Sequence, residues 1–440
     1  MKSNQKLTAS GLHKLIPGGA HTYSKGDDQF SENAPKLIIH GKGSHVFADD
    51  GVEYLECGMG LASVSIGHGE KIIVDAVYDE IVKGTNFMRP SILEGKIAEK
   101  FLSLIPCHQM IKFAKNGSTV TTAAVKLARA FTGRKLIAVP MGHPFYSYDD
   151  WFIGSTAASH GVPSEISELT VSFDHCSSES LLALFEKHPG EIAAVITEPE
   201  KNYCSNCTCG HSAADFLRRA IEITHANGAL FILDEMQSGF RIDYPGSISK
   251  YDLKPDLATW GKGIANGFSF CCLTGTEDVM RLGGINNFGE KKVFLVSTTH
   301  GAESTGLAAV DATIDFFKEN NVIQHNHEIG KAVHQGMKAI VDKHGLNSVL
   351  QVFECDWMPG IDFFDGNNAL RFKTIIMQEM VKQKVLFQGV FVPCFRHTIH
   401  DVETFCLAFD KAIEYLKNHL YNNGPGLFGE SVKPVFRKIV

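Results

Sequence analysis

The sequence is short of the features that mark several protein classes. No apolar run approaches the ~20 residues of a membrane-spanning helix, so a chain that crosses the bilayer is not expected. Positive charge is not in surplus: 42 Lys and Arg stand against 49 Asp and Glu, a net −7, with the two signs interspersed. A general nucleic-acid binder usually carries a basic face, so no nucleic-acid partner is expected. The opening MKSNQKLTASG holds no apolar core of a cleaved leader, and secretion by that route is not expected. The eleven cysteines are odd in number and scattered over 440 residues. They read as reduced thiols, and the expected location is the cytoplasm. Internal repeats and low-complexity tracts are absent too.

What remains is ordinary globular composition, 44% apolar and 21% charged, in a chain long enough for two or three cores. Residues 45–57 (HVFADDGVEYLEC) read as two short strands around an Asp-Asp-Gly turn. From residue 94, amphipathic helices alternate with short apolar runs: MIKFA, KLIAVP, IAAVITEP, ALFILDE. Strands apolar on both faces, separated by helices, predict an α/β fold with a mainly parallel sheet covered on both sides. The expected division is an N-terminal segment 1–60, a large domain 61–305 and a small C-terminal domain 306–440 completed by the first sixty residues. The last twenty residues, rich in Gly and Pro, read as an extended tail packed on a surface.

Open α/β sheets bind ligands beyond the carboxyl ends of their strands, so the residues after each apolar run carry the functional reading. After MIKFA comes Lys115-Asn116-Gly117-Ser118-Thr119 and then a helix. Backbone N–H groups, hydroxyls and the positive helix end make that turn a phosphate seat, although Ser or Thr before a helix also serves as a plain cap. After ALFIL comes Asp234-Glu235-Met236-Gln237-Ser238-Gly239-Phe240-Arg241. An Asp ending a buried strand needs a cation, and a protonated ring nitrogen or Arg241 would both serve. Lys262 stands between Gly261 and Gly263, with no neighbouring side chains to fend off a ligand. A lysine whose pKa is lowered by its site can form a Schiff base with a carbonyl, while a plain loop lysine is the alternative. After KLIAVP comes an aromatic stretch, Phe145-Tyr146-Ser147-Tyr148, from which a ring could stack on a planar ligand or simply fill the core.

Phosphate seat, stacking ring, buried Asp and glycine-flanked Lys, in that order, match pyridoxal 5′-phosphate (PLP). On these motifs the chain resembles the class III aminotransferases of fold-type I, in the branch similar to glutamate-1-semialdehyde aminomutases. The resemblance runs over about residues 10–420. It is carried by LIPGGAHTYSKG (15–26), KNGSTVTTAAVKLARAFTGRK (115–135), ITEPE (196–200), ILDEMQSGFR (232–241), PDLATWGKGIANG (255–267) and STTHGAES (297–304). It implies a large domain built on a seven-stranded sheet and a smaller α+β domain drawn from both termini. Lys262 would form the Schiff base and shuttle a proton, and Asp234 would keep the pyridine nitrogen protonated. Met236 would pack under the ring, Gln237 would reach the phenolic oxygen, and Gly117, Ser118 and Thr119 would hold the phosphate. Glu198 would stand behind the cofactor. Thr299 would reach the phosphate of a neighbouring subunit, which implies a homodimer with shared active sites.

Three departures stand out. The family's Ser-Gly-Thr-Glu-Ala phosphate turn reads Gly-Ser-Thr-Val-Thr here. Its Tyr-His-Gly segment aligns so that Phe145 takes the stacking position, with Tyr146 as the alternative. Lys25 replaces an arginine that holds the substrate carboxylate, and a lysine is a point charge rather than a two-pronged fork. The hydroxyl-rich wall of Thr22, Tyr23, Ser24 and Lys25 suits a polyol. The expected reaction is therefore transfer of an amino group, from glutamate as donor, to a carbonyl of an oxo-sugar or sugar acid such as a ulosonate of cell-envelope synthesis. The alternatives are a glutamate-1-semialdehyde 2,1-aminomutase and a catalytically inactive module of the same fold. Arg396 is either a second carboxylate clamp or a surface ion-pair partner. Cys204, Cys207, Cys209 and His211 have metal-ligand spacing, but loop thiols are the expectation and no metal is assigned. The run KVLFQG (384–389), which looks like a protease site, reads as native strand.

Overall fold

A computed structural model describes residues 8–142, 145–199, 213–286, 288–289, 291–422 and 426–439. The Cys204–His211 cluster lies outside the described residues. The strands in chain order are β1 (Ile38–Lys42), β2 (His45–Ala48), β3 (Glu53–Glu56), β4 (Met110–Ala114), β5 (Leu136–Pro140), β6 (Thr170–Phe173), β7 (Ile192–Thr197), β8 (Leu230–Asp234), β9 (Leu257–Trp260), β10 (Cys271–Gly275), β11 (Leu350–Val352), β12 (Ile361–Phe363) and β13 (Val385–Leu386). Two compact units form. One takes in residues up to Leu61, Ile66–Glu70 and Gln324–Arg437; the other takes in Ala62–Ser65 and Lys71–Ile323.

The second unit is built on a seven-stranded sheet, ordered β4-β10-β9-β8-β7-β5-β6. Strands β5, β7 and β8 are buried at every residue, as continuous apolar runs dictate when both faces are covered. The mainly parallel sheet expected from the sequence is present. Its one departure is β10, which runs antiparallel to both β4 and β9. Helix Gly117–Thr132 follows β4 directly. Asn116 caps it by accepting the Thr119 N–H at 2.9 Å, and Gly133, in a left-handed conformation at φ 69°, ends it. Val120, Ala124, Val125, Leu127 and Ala128 form its buried face. Each fully buried Val or Leu contributes about 1.5–3 kcal/mol to holding the first turn against the sheet.

Helix Ser304–Glu319, read from the sequence as part of the C-terminal domain, groups with this unit. It buries Leu307, Val310 and Ile314, and its Asp315 pairs with Lys100 at 2.7 Å, so the boundary falls after Ile323 instead of at 305.

In the first unit both termini complete one sheet, ordered β1-β2-β3-β13, with β13 parallel to β3. The KVLFQG run supplies β13 and the buried Phe387, whose ring meets the edge of Phe405 at 5.2 Å. Phe405 stacks on Phe409 at 5.8 Å. The tail is tied down by its backbone: Phe428 N–H donates to Gln378 Oε1 at 2.6 Å and Val432 N–H to Thr374 Oγ1 at 3.0 Å. Seven cysteines are free among the described residues, whereas Cys176 is disulfide-bonded, against the expectation of reduced thiols throughout.

Candidate active site

Asp234 ends β8 and is 2% exposed. Its Oδ1 accepts the Met236 N–H at 2.9 Å and the Thr259 hydroxyl at 2.9 Å. Thr259 is its partner across the β8–β9 ladder. Among the described residues neither bond reaches Oδ2. Burial, and then the nearby Glu198, push the carboxyl up to about 7; the two donors and Lys262 pull the other way. A desolvated carboxyl with one oxygen left over suits a ring N–H cation, which would favour its ionised form.

Lys262 follows β9 in a short helical turn, Lys262–Ala265, with φ at +49°. A lysine in the left-handed region costs on the order of 1 kcal/mol and persists because its surroundings dictate it. Ser65 donates its hydroxyl to Gly263 O at 2.6 Å, and Asn266 Oδ1 accepts the Ser65 N–H at 3.2 Å. The two glycines have a different reason from the one expected. A Cβ at Gly261 would lie 2.3 Å from Met236 Sδ and 2.5 Å from Cys271 Sγ, and one at Gly263 would lie 2.6 Å from Arg241 Nη2. They are glycines because the floor beneath the lysine is packed to contact. Arg241 does not pair with Asp234: it donates to Gln237 O at 2.9 Å and to Ala62 O. Glu235 is wholly buried, accepting the Ser247 hydroxyl at 2.6 Å and the Ile248 N–H at 2.8 Å, along with the Ser238 hydroxyl.

Met236 joins this floor to the phosphate seat. A Cβ at Gly117 would meet Met236 Cε at 3.1 Å, so a side chain there would press Met236 aside. In the seat, Ser118 Oγ accepts the Tyr148 N–H at 3.0 Å, which leaves its own proton to donate. Thr119 turns its hydroxyl proton to Asn116 Oδ1 at 3.0 Å, so the cap and not a ligand receives it. The first-turn N–H groups of Gly117 and Ser118 are the donors left to an anion among the described residues. A cavity of about 250 Å³ opens beside Thr119, lined by Thr122, Lys126, Asp149 and residues 294–298.

After β5, Phe145 is 47% exposed and Tyr146 is 2% exposed. Both rings rest edge-on against Phe152, at 6.1 and 5.6 Å. Phe145 is therefore the more accessible of the two rings. Glu198, after β7, is buried with Thr197 donating to its carbonyl at 3.1 Å. Gln237 is half-buried, and Thr299 is exposed with its carbonyl accepting from Asn86 at 3.1 Å. These residues fit PLP by three observations: a buried carboxyl with Oδ2 outside both of its hydrogen bonds, whose ionised form a ring cation would favour, a half-exposed aromatic ring at Phe145, and a helix start with donors to spare.

The first unit holds the remaining sequence candidates. Thr22, Tyr23 and Lys25 are exposed, with Tyr23–Lys25 in a single helical turn. Of the two readings of Arg396, the structure shows the ion pair: its Nε and Nη2 donate to Glu70 at 2.7 and 2.8 Å, so its two-pronged face is already taken. Sequence reasoning also missed Thr259, whose only signal was a hydroxyl in an apolar strand, and Asn116, which reads as an ordinary turn residue.

The family model for class III aminotransferases matches residues 28–418. The chain is 27% identical to the 3-aminobutyryl-CoA aminotransferase of Cloacimonas acidaminovorans, across 92% of this chain and 96% of that one. It is equally 27% identical to the glutamate-1-semialdehyde 2,1-aminomutase of Clostridium tetani, across 90% and 97%. The FumI protein of Sphingopyxis sp. MTA144, solved in its PLP internal aldimine form, superimposes with a TM-score of 0.83 at 24% identity, over 94% of this chain and 96% of that one, which is a likeness of fold. Fold, motifs and family match agree: the chain belongs to the class III aminotransferases, fold-type I enzymes that use PLP.

Proposed function

We propose that this transaminase takes nitrogen from an amino-acid donor, glutamate first among them, and passes it to a carbonyl of an oxo-sugar or sugar acid such as a ulosonate. The observation that carries this reading is a contrast between two cations. Lys25 is exposed and pairs with no carboxylate among the described residues, while Arg396 is held by Glu70. A lone ammonium beside the exposed hydroxyls of Thr22 and Tyr23 suits an acidic, hydroxylated acceptor. When bound, PLP supplies an electron sink for the carbon that bears the nitrogen. Asp234 Oδ2 would hold the proton on the ring nitrogen, and Lys262 Nζ would hold the cofactor's carbonyl carbon and move the proton at the substrate carbon. Phe145 would cover one ring face, Met236 would pack under the other, and Gln237 would reach the phenolic oxygen. Glu198 backs Asp234. Gly117 and Ser118 would receive the phosphate through their N–H groups, while Thr119, whose N–H and hydroxyl both go to Asn116, would stand beside it.

Thr299 completes the phosphate site of a second copy, so the working form is a homodimer. In support, the segment tied to Thr299 by Asn86 exposes Phe87, Met88 and Ile92, Met88 at 100%, and Phe288 is 93% exposed. Such apolar groups favour a covered face. The cytoplasm is the proposed compartment: the seven free cysteines among the described residues support it, and the disulfide at Cys176 weighs against it. The rival reading is an aminomutase, favoured by the 27% identity to the Clostridium tetani enzyme. The deciding experiment loads the enzyme with nitrogen from glutamate and offers it a panel of oxo-sugar acids and semialdehydes. Recovery of the original absorbance with a hydroxylated sugar acid is expected. Efficient conversion of glutamate-1-semialdehyde to 5-aminolevulinate, with no response to any oxo-sugar, overturns the reading.

A further inference from the structure

Lys115 stands just before the cap of the phosphate-seat helix, and its charge is already spent. Its Nζ donates to Glu303 Oε1 at 2.5 Å and to Ser269 O at 3.1 Å, while its carbonyl accepts the Ser269 hydroxyl at 2.7 Å. The two charged side chains are 21% and 17% exposed. Burial works against the charge on Glu303, yet Lys115 and Thr305 hold that carboxyl below its usual range. Glu303 also caps helix Ser304–Glu319: its Oε2 accepts the Thr305 N–H at 2.9 Å and its Oε1 the Thr305 hydroxyl. The knot has no slack, because a Cβ at Gly306 would lie 2.7 Å from Ser269 O and 2.9 Å from Lys115 Nζ. A pair so withdrawn from water, with both partners bonded again, is screened far less than an exposed one.

The pair joins two segments with different work. One is the seat itself. The other is the turn that carries Thr299, closed by Gly301 N–H to Thr298 O and Glu303 N–H to His300 O, both at 3.2 Å. Residues 294–298, which lead into the turn, line the cavity beside Thr119. The turn therefore takes its position from its other contacts: Asn86 on the Thr299 carbonyl at 3.1 Å, Ser304 N–H on Thr85 O at 3.0 Å, and the Glu303 knot. We propose that Lys115 is a positioning residue that acts through Glu303 on the neighbouring subunit: the Lys115–Glu303 pair sets Thr299 where it completes the phosphate site of a second copy. The proposal rests on the reading of Thr299 and of the homodimer given above. Each protomer's own seat is then the footing of the group it lends, and this lysine serves the partner's phosphate rather than its own.

The test uses mixed dimers, purified from two co-expressed chains that carry different tags. One chain has Lys262→Ala, so the visible absorbance of lysine-bound cofactor reports only the site of the other, the reporter chain. Apo mixed dimers are titrated with PLP, with circular dichroism and gel filtration as checks on folding and assembly. Lys115→Met in the Lys262→Ala chain weakens PLP at the reporter's site by about fivefold, on the scale of one hydrogen bond. Glu303→Gln in that chain, which keeps an acceptor for the helix cap, does the same. Either substitution placed in the reporter chain instead costs the reporter's site less. Thr299→Ala combined with Lys115→Met costs no more than Thr299→Ala alone, because the lysine acts through the position of the threonine. Losses confined to the chain that carries the substitution, or additive losses in the combination, overturn the proposal. A reporter site unmoved by Thr299→Ala in its partner overturns the reading of Thr299 and the proposal with it; one weakened by Thr299→Ala but by neither Lys115→Met nor Glu303→Gln overturns the proposal alone.

Discussion

Thr259 donates its hydroxyl to Asp234 Oδ1 at 2.9 Å from the neighbouring strand, and the two residues are direct partners in the β8–β9 ladder. The bond settles which oxygen of the buried acid is spent and which is left. Thr259→Val keeps the shape and removes the donor. It should weaken PLP binding by about tenfold, roughly the 1.4 kcal/mol of one hydrogen bond to a charged group. Thr259→Ser should restore it. Equal affinities in all three proteins would count against the role given to Oδ2.

Lys262→Ala should abolish turnover and leave phosphate-dependent cofactor binding measurable. Borohydride reduction of the wild-type holoenzyme followed by peptide mapping should place the label on Lys262 alone. Label on Lys115 or Lys126, the other lysines near the seat, would refute the assignment.

Gly261→Ala forces a methyl to within 2.3 Å of Met236 Sδ and 2.5 Å of Cys271 Sγ. Overpacking of this kind costs about 1–3 kcal/mol. The melting temperature should fall, and Met236→Ala in the same chain should recover part of the loss. Gly261→Ala with unchanged stability would mean that the floor is looser than the contacts require.

The raised Asp234 carboxyl gives the apoprotein a pH signature. Below the ordinary carboxylate range the group is protonated folded and unfolded, and adds no slope. Between that range and about 7 the folded chain binds the extra proton, so this group makes stability fall as pH rises. Saturating PLP should flatten the slope, because a ring cation then compensates the ionised acid. Thermal melts of apo and holo protein below and above pH 7 measure it, with Asp234→Asn as the reference that lacks the slope.

The two cations of the first unit should behave differently. Lys25→Ala should raise KM for the acidic acceptor several-fold with kcat little changed, the pattern of a lost binding contact. Arg396→Ala removes a half-exposed ion pair worth at most about 1 kcal/mol of stability and should leave KM alone. Steady-state kinetics with the acceptor found by the half-reaction assay decides between them.

Much of the fold was legible because a buried strand announces itself: ALFIL and IAAVIT have no polar face, and the polar residue that ends such a run stands where ligands bind. Lys262 and Asp234 were found in this way. Strand β10 was not, since CCLTG is as apolar as its parallel neighbours and direction leaves no mark on composition. Nor did the sequence tell why Gly261 and Gly263 are glycines. That reason lies in Met236, Cys271 and Arg241, which the chain brings there only on folding. Arg396 and Glu70 are 326 residues apart, and no local pattern pairs them. The chain boundary at Ile323 escaped because an amphipathic helix shows that it has an apolar face, not which unit that face covers.

Strand β10 also has a consequence for the order of events as the protein is made. It is the strip that joins β4 to β9, and Ser269 just before it donates to Lys115 O at 2.7 Å across 154 residues of chain. A ribosome that has released everything through the first turn of the 117–132 helix has therefore produced a phosphate seat with nothing beside it to rest on. Closing so long a loop is slow, and only its closure brings seat and lysine into one sheet. Coenzyme supplied during synthesis can thus engage the chain only after residue 275 has emerged, and truncations ending earlier should be unable to retain it.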